Sequence, residues 1–230
     1  MKIVALTGAG ISAESGVKTF RGSDGLWEGH AIEDVATPEA FARNPTLVYE
    51  FYNQRRAQLL QPELEPNQGH LALARLEEAL GNHFWLITQN VDNLHERAGN
   101  KNIYHMHGEL QKVRCLKTEK SYDWTGPLDE TSEHPEGLNT QLRPDIVWFG
   151  EIPKYMEEIE RLLFDCDIFL CIGTSGLVYP AAGFVRLTPH GCQKIEFNVE
   201  STQISENFDQ TIHGPAGETL KNWVDQFLEN

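Results

Sequence analysis

Ala5-Leu6-Thr7-Gly8-Ala9-Gly10-Ile11-Ser12-Ala13-Glu14-Ser15-Gly16 decides how the rest of the chain is read. It continues an apolar run, Ile3-Val4-Ala5-Leu6, that reads as a buried strand. Gly8, Gly10 and Ala13 then fit the G-x-G-x-x-G/A spacing of a dinucleotide-binding turn. In such a turn the first glycine makes the tight bend, and the second lets backbone N–H groups approach a pyrophosphate. The third small residue lets the next helix lie close to the sheet. Unpaired N–H groups at that helix start favour an anion. A crowded strand–turn–helix corner selects glycines too, so both readings stand on this motif alone.

Working outward, Ser15 to Trp27 is glycine-rich and non-periodic and reads as a long loop, a kind that is often functional. Phe20 and Arg21 pair an aromatic body with a guanidinium fork, suited to a ring and a phosphate. The alternative is an exposed loop pinned by Phe20 and Trp27. Thr37 caps a helix that has Pro38 at its first position, and Pro45 divides the helical span to Leu60 in two. Tyr52 and Arg55, three apart, share a face and suit either a carboxylate or plain solvent. Asn67 to Leu80 is a further helix with a stripe of Leu71, Ala74, Leu76 and Leu80.

His83 to Thr88 reads as a parallel strand buried on both faces, running straight into Gln89-Asn90-Val91-Asp92. Polar residues just past a parallel strand's carboxyl end lie where open α/β sheets hold ligands, so Gln89, Asn90 and Asp92 suit a ribose and an amide. Asp92 also suits a helix cap. Asn102 to His107 is the next strand, with His105 and His107 on one side of it; His107 precedes Gly108 and is open to a structural or a catalytic reading.

Glu109 to Arg143 is polar and turn-rich and reads as a small inserted module. Then come a strand and turn over Asp145–Glu151, a helix over Lys154–Phe164, and a strand over Asp167–Ile172 ending in Gly173-Thr174-Ser175-Gly176. A helix over Val178–Leu187, a strand over Lys194–Asn198 and an amphipathic helix over Glu218–Leu228 complete the chain.

Length and charge narrow the class. The 230 residues fit one large α/β domain with a small insertion. A net charge of −15 argues against tracking nucleic-acid phosphates and suits basic, lysine-rich polypeptides as well as plain solubility. No run of about 18 apolar residues spans a membrane, and with no leader-like start a cytoplasmic address is expected. The cysteines at 115, 166, 171 and 192 form no C-x-x-C pair, so neither a disulfide framework nor a zinc ribbon is written. Cys166 and Cys171 read as core.

Taken together, Gly8-Ala9-Gly10-Ile11-Ser12, Thr19-Phe20-Arg21, Thr88 to His95, His107-Gly108, Val147-Trp148-Phe149-Gly150-Glu151, Gly173-Thr174-Ser175 and Asn198 closely resemble the sirtuins, NAD-dependent protein lysine deacylases. The resemblance covers essentially the whole chain and is nearest to short bacterial members that also remove acidic acyl groups. It implies a Rossmann-like parallel sheet with helices on both faces, over about 1–30, 81–108 and 144–230. A helical insertion at about 31–80 and a small module at about 109–143 complete the implied plan.

It also implies roles. His107 matches the catalytic base, acting with Asn90 and Asp92, while Gln89, Asn90 and Asp92 match contacts to nicotinamide riboside and Val91 belongs to the same NAD site. Gly8, Ala9, Gly10, Ser12, Ala13, Phe20, Arg21 and Trp27 join the NAD site, as do Gly173, Thr174, Ser175, Asn198, Val199, Glu200 and Ala216. Tyr52 and Arg55 match a Tyr-x-x-Arg pair that holds succinyl or malonyl groups. Val147, Phe149, Gly150 and Glu151 on one side, and Gly176, Leu177 and Val178 on the other, match edges that take the substrate peptide as an added strand.

One departure stands out. Sirtuins carry a zinc held by two C-x-x-C pairs, and here Cys115 alone remains, with Ser132-Glu133-His134-Pro135-Glu136 in place of the second pair. A structural zinc wants four ligands, so no metal is expected, and Leu116, Tyr122, Trp124 and Leu128 are expected to pack the module instead. The expected partner is an acylated lysine on a protein, met by a monomer without nucleic acid or membrane. An NAD glycohydrolase or ADP-ribosyltransferase, or an NAD-sensing binding module, would use the same cleft.

Overall fold

The computed structural model describes residues 1–18, 26–27 and 29–229; Phe20 and Arg21 lie outside the described residues. In chain order the elements are β1 (Ile3–Thr7), β2 (Leu26–Trp27), β3 (His30–Ala31), α1 (Ile32–Val35), α2 (Pro38–Arg43), α3 (Pro45–Leu59), α4 (Gln68–Leu80) and β4 (Phe84–Thr88). There follow α5 (Leu94–Ala98), β5 (Ile103–His105), β6 (Gly108–Cys115), β7 (Ser121–Asp123), β8 (Leu142–Ile146) and α6 (Met156–Phe164). The last are β9 (Ile168–Ile172), β10 (Gln193–Asn198), β11 (Gln210–His213) and α7 (Ala216–Glu229), and short 3-10 turns fill Ala9–Ser15 and Ala181–Arg186.

The main sheet has six strands in the order β11-β10-β9-β1-β4-β5, every neighbouring pair parallel. From β1 the chain builds outward to β4 and β5 on one side, then returns to lay β9, β10 and β11 on the other. The order reverses at β1, and a crevice opens there at the strands' carboxyl ends. Both faces are apolar because alternate residues of each strand serve opposite layers. Ile3 and Ala5 pack with Leu73, Leu76, Leu220 and Val224 of α4 and α7. Val4 and Leu6 pack with Ile159 and Leu163 of α6 and with Phe184.

A third core joins α2 and α3 to a small antiparallel sheet of order β7-β6-β8, through Phe41, Tyr49, Tyr52, Val113, Leu142 and Trp148. Local signals place the helix starts as expected. Thr37 accepts the Ala40 N–H, Asn44 accepts the Leu47 N–H, and each precedes a proline at the first helical position.

Several expectations shift. The strand expected over 145–151 runs over Leu142–Ile146, because its partner is β6 of the small sheet. The helix expected over 178–187 is a 3-10 turn, and β11, too short and half-exposed to leave a pattern, was not foreseen. On α4 the buried face is Ala72, Leu73 and Leu76, while Leu71 is exposed. In the small sheet Leu128 is buried and Tyr122 and Trp124 pack on the core, but Leu116 is exposed at the turn after β6.

Candidate active site

The glycine turn after β1 is a backbone-to-backbone junction. Gly8 N–H donates to the Ile172 carbonyl at 2.9 Å and Gly10 N–H to the Gly173 carbonyl at 2.8 Å. A Cβ on Gly8 or Gly10 would stand 2.8 or 2.7 Å from the Gly173 oxygen, so the two loops meet only because both are glycine. The Gly10 N–H itself is engaged by this junction, so an N–H that meets a pyrophosphate would come from another residue of the turn. Ala13 is exposed rather than packed on the sheet, since the segment after Gly8 is a 3-10 turn lying over the crevice edge. Ala9 and Gly10 are half-buried beside it, and Gly173, Thr174 and Ser175 form the matching loop after β9.

A polar network crosses the crevice mouth. Ser12 Oγ donates to Asp92 Oδ2 at 3.0 Å, and Asn90 Nδ2 donates to Ser12 Oγ at 3.1 Å. Asp92 Oδ1 accepts the Leu94 N–H at 3.1 Å, so its helix-capping role and its place in the network coexist. Burial pushes the Asp92 carboxyl upward, with the Leu94 and Ser12 hydrogen bonds opposing. Beneath lie His70, whose Nε2 is 3.4 Å from Ser12 Oγ, and His95, whose Nε2 is 3.0 Å from Thr7 Oγ1. Burial holds both rings neutral, His70 down to about 4 and His95 well below the usual histidine value. On the β9 side Gln89 Nε2 donates to Thr174 Oγ1 at 3.0 Å, and Asn198 Nδ2 donates to the Thr174 carbonyl at 2.8 Å.

The segment from His105 to Leu110 fixes the loop after β4. Its Met106 N–H donates to the Thr88 carbonyl at 3.1 Å, and its Leu110 N–H to the Val91 carbonyl at 2.8 Å. His107 Nδ1 meets the Gln89 carbonyl at 3.1 Å. A carbonyl can only accept, so Nδ1 carries the proton and Nε2 of the neutral ring is a base. Burial lowers the pKa of His107, with the Gln89 contact opposing, so the ring is neutral near pH 7. Gly108 follows with φ 85°, and a Cβ there would lie 1.9 Å from the Asp145 oxygen. Only glycine lets β6 start so close to β8.

Tyr52 is fully buried, and its oxygen accepts the Trp148 Nε1–H at 2.9 Å, leaving its own proton available to an acceptor. Arg55 Nη1 donates to the Phe51 carbonyl at 2.5 Å, and its guanidinium carbon lies 3.4 Å from the Phe51 ring centroid. Trp27 belongs with this pair: it meets Phe51 edge-on at 5.0 Å and Tyr52 at 5.9 Å. Ala216 starts α7 and is buried in the core with α4, away from an open surface. Val199 and Glu200 are exposed just past β10.

Of the expected peptide edges, Phe149 and Leu177 are exposed, Val147 and Val178 are half-buried, and Gly150 and Gly176 have φ of 91° and 70°. The Glu151 carboxylate turns inward to Arg143 at 2.8 and 2.7 Å, to Arg114 at 3.2 Å and to the Trp148 N–H at 2.8 Å. It secures the 147–151 turn, so this side chain supports the edge from within.

In the small sheet the two C-x-x-C pairs of a four-ligand zinc site are missing, and Cys115 alone stands at their place. Among the described residues the one group of three or more metal-type donors brought together, Glu96, His105 and Glu109, lies elsewhere. Cys115 is buried; although burial opposes it, hydrogen bonds from Thr118, Lys117 and His134 bring its thiol down to about 6. Cys166 lies just ahead of β9 with its sulfur 3.5 Å from that of Cys192, both free and buried, while Cys171 is core.

Comparison with known proteins bears on this geometry. The Sir2 family model matches residues 8–180. The chain is 56% identical over 230 residues to a protein of Salmonella typhimurium named NAD-dependent protein deacylase, covering 99% of this chain and 84% of that one. A protein of Rhodopirellula baltica with the same name is 52% identical over 236 residues, covering 99% of each. Among solved structures, a Sir2 homologue–NAD complex superposes with a TM-score of 0.89 at 38% identity, covering 99% of this chain and 90% of that one. A Sir2–p53 peptide–NAD+ complex gives 0.79 at 28% identity, covering 100% of this chain and 94% of that one. With a parallel sheet whose switch point carries these polar tips, and with likeness along its whole length, the chain belongs to the Sir2 family.

Proposed function

We propose that this chain is an NAD-dependent protein lysine deacylase that moves the acyl group from a lysine side chain to ADP-ribose and releases nicotinamide. One observation carries the reading. His107 has Nδ1 locked on the Gln89 carbonyl, so a neutral ring offers Nε2 as a base, held to the residue that precedes Asn90 of the Ser12–Asn90–Asp92 network. The relatives named deacylases and the neighbours solved with NAD support it.

Bound NAD supplies an activated ribose carbon that an acyl oxygen attacks. Asn90 and Asp92 orient the ribose and the leaving amide, held in turn by Ser12 and the Leu94 N–H, which favours a near-attack geometry. His107 Nε2 accepts a proton from a ribose hydroxyl. Gln89, Thr174 and Asn198 form the riboside and phosphate side of the crevice, while small residues from Gly8 to Gly10 and Gly173 keep its floor low.

Tyr52 and Arg55 hold acidic acyl groups. The phenol, steadied by Trp148, donates to a carboxylate, and Arg55 supplies the charge, with Trp27 closing the wall. The peptide lies between the 147–150 and 176–178 edges. The enzyme acts as a monomer on proteins without nucleic acid. Its four free thiols suit a reducing compartment such as the cytoplasm.

Incubation with NAD and acetyl- or succinyl-lysine peptides, read by mass spectrometry, tests the reading. Acyl-ADP-ribose and free lysine are expected in equal amounts, and NAD breakdown without peptide would replace deacylation by glycohydrolysis. Arg55→Met should lower desuccinylation by about 100-fold while deacetylation changes little, since it leaves a carboxylate unpaired in a closed pocket. Equal losses on both substrates would remove the pair from acyl selection.

A further inference from the structure

The loop Thr88–Val91 is caught carbonyl by carbonyl from the next strand, and one of those contacts is not explained by the chemistry above. The Asn90 carbonyl faces His105 Nδ1 at 3.3 Å, while His105 Nε2 faces Glu96 Oε1 at 2.5 Å. Both partners only accept. A neutral imidazole has one N–H and one lone pair, so in either tautomer one contact would set lone pair against lone pair. Only the doubly protonated ring satisfies both.

We propose that His105, held as an imidazolium by Glu96, is a positioning residue that fixes the Asn90 carbonyl and so aims the Asn90 side chain into the reaction site. This rests on the deacylase reading for its consequence, though not for its geometry. His107 and His105, two residues apart, thus hold adjacent carbonyls in opposite protonation states: a neutral base on Gln89 and a fixed cation on Asn90.

The surroundings favour the charge. Only 7% of the His105 side chain is exposed, and burial opposes protonation, yet Glu96, Glu109 and the Asn90 carbonyl outweigh it and hold the pKa above the ordinary value. From the loop side buried Asp92 faces the ring. His95 on α5 is neutral and adds no repulsion at neutral pH. Lys112 on β6 acts on Glu96, helping to keep that carboxylate ionised, and its Nζ is paired with Glu109 Oε1 at 2.8 Å.

Glu96, His105 and Glu109 present donor atoms within 4.8 Å of one another, as a divalent-ion site would. Here both His105 nitrogens and the Glu109 carboxylate already have partners, which favours an ion-paired hinge pin over a metal site.

The sign of the pH effect follows. A raised pKa means that the pinned loop is intact below the ordinary histidine value and is lost as pH rises through the raised one. The deacylase therefore has an alkaline limb in kcat/KM for NAD that belongs to His105, separate from the acid limb of His107.

Two measurements test this on the full chain. Nitrogen NMR of histidine-labelled protein reads the ring without turnover: at pH 7 both His105 nitrogens should be protonated, titrating above about 6.5. A neutral ring, or broadening of its signal by micromolar manganese, overturns the proposal whether or not the protein deacylates. In the kinetic arm, Glu96→Gln should move the alkaline limb toward neutral pH. His105→Gln should flatten that limb and lower kcat/KM about tenfold, and His105→Lys, which keeps the charge, should restore most of the rate. An alkaline limb unmoved by Glu96→Gln overturns the proposal even if His105→Gln fails to fold. Doubly protonated His105 in a protein that transfers no acyl group would instead sink the deacylase reading alone.

Discussion

The crevice at the end of the parallel sheet and the small three-stranded sheet beside it are built by different means. In the crevice, backbone holds backbone: Gly8 on Ile172, Gly10 on Gly173, and Gln89 N–H on the Thr7 carbonyl. In the small sheet, side chains reach across. Asn53 brackets both backbone groups of Leu128, Arg56 donates to the Leu110 carbonyl, and Tyr49 to the Leu142 carbonyl. The first design does not draw on Asn90, Asp92 or His107 to join the strands, and these side chains instead bond at the crevice to Ser12, the Leu94 N–H and the Gln89 carbonyl. The second commits α3 side chains to support the small sheet from one side.

The largest expected effect breaks the crevice chemically and leaves its frame alone. His107→Ala should cut deacylation on the order of 10²–10⁴-fold with the dissociation constant for NAD nearly unchanged, measured by calorimetry beside turnover. Comparable loss of both would make His107 structural.

Next comes acid. The fold holds His70 neutral down to about 4 by burial, so between the ordinary value and that point the unfolded chain binds the extra proton. Stability should be full above about 6.5 and fall by roughly 3 kcal/mol as pH drops toward 4, with His95 adding in the same direction. Urea midpoints at successive pH values check this, and a flat profile would show that these rings are not held neutral.

A smaller effect probes the side-chain design. Asn53→Ala strands the Leu128 N–H and carbonyl and one Arg56 N–H, and should cost about 1–3 kcal/mol. Hydrogen exchange should show the loss concentrated in residues 121–142. Uniform loosening would mean that the small sheet is not held separately.

The smallest expected effect is none. Dialysis against a strong chelator should leave the melting temperature unchanged within about 1 °C, because Cys115 stands without the C-x-x-C pairs of a four-ligand structural zinc. One zinc per chain by elemental analysis, with a drop in melting temperature on its removal, would return the small sheet to metal control.

Much was legible along the chain because it is local. Strands of unbroken apolar residues, Thr37-Pro38 as a helix start, Pro45 as the break between two helices, and polar tips after β4 and β9 announce themselves within a few residues. The motif strings that resemble sirtuins pointed to the crevice for the same reason. What composition and spacing do not carry is which groups are already engaged. The Gly10 N–H is taken by Gly173 and the Glu151 carboxylate by Arg143 and Arg114, neither of which spacing announces; Leu116 reads as core and is exposed.

By itself, then, the sequence determined an α/β chain with a parallel sheet, the loops that end its strands, and a histidine set before a glycine. Tertiary structure alone decided that β8 leaves the main sheet for β6, and that Trp27 joins Tyr52. It also decided that two histidines two residues apart take opposite charge states. The reason is physical. Periodicity and capping depend on neighbours in the chain, whereas protonation and hydrogen-bond satisfaction depend on which acceptors folding brings within about 3 Å. For His105 those acceptors come from α5 and from the loop after β4.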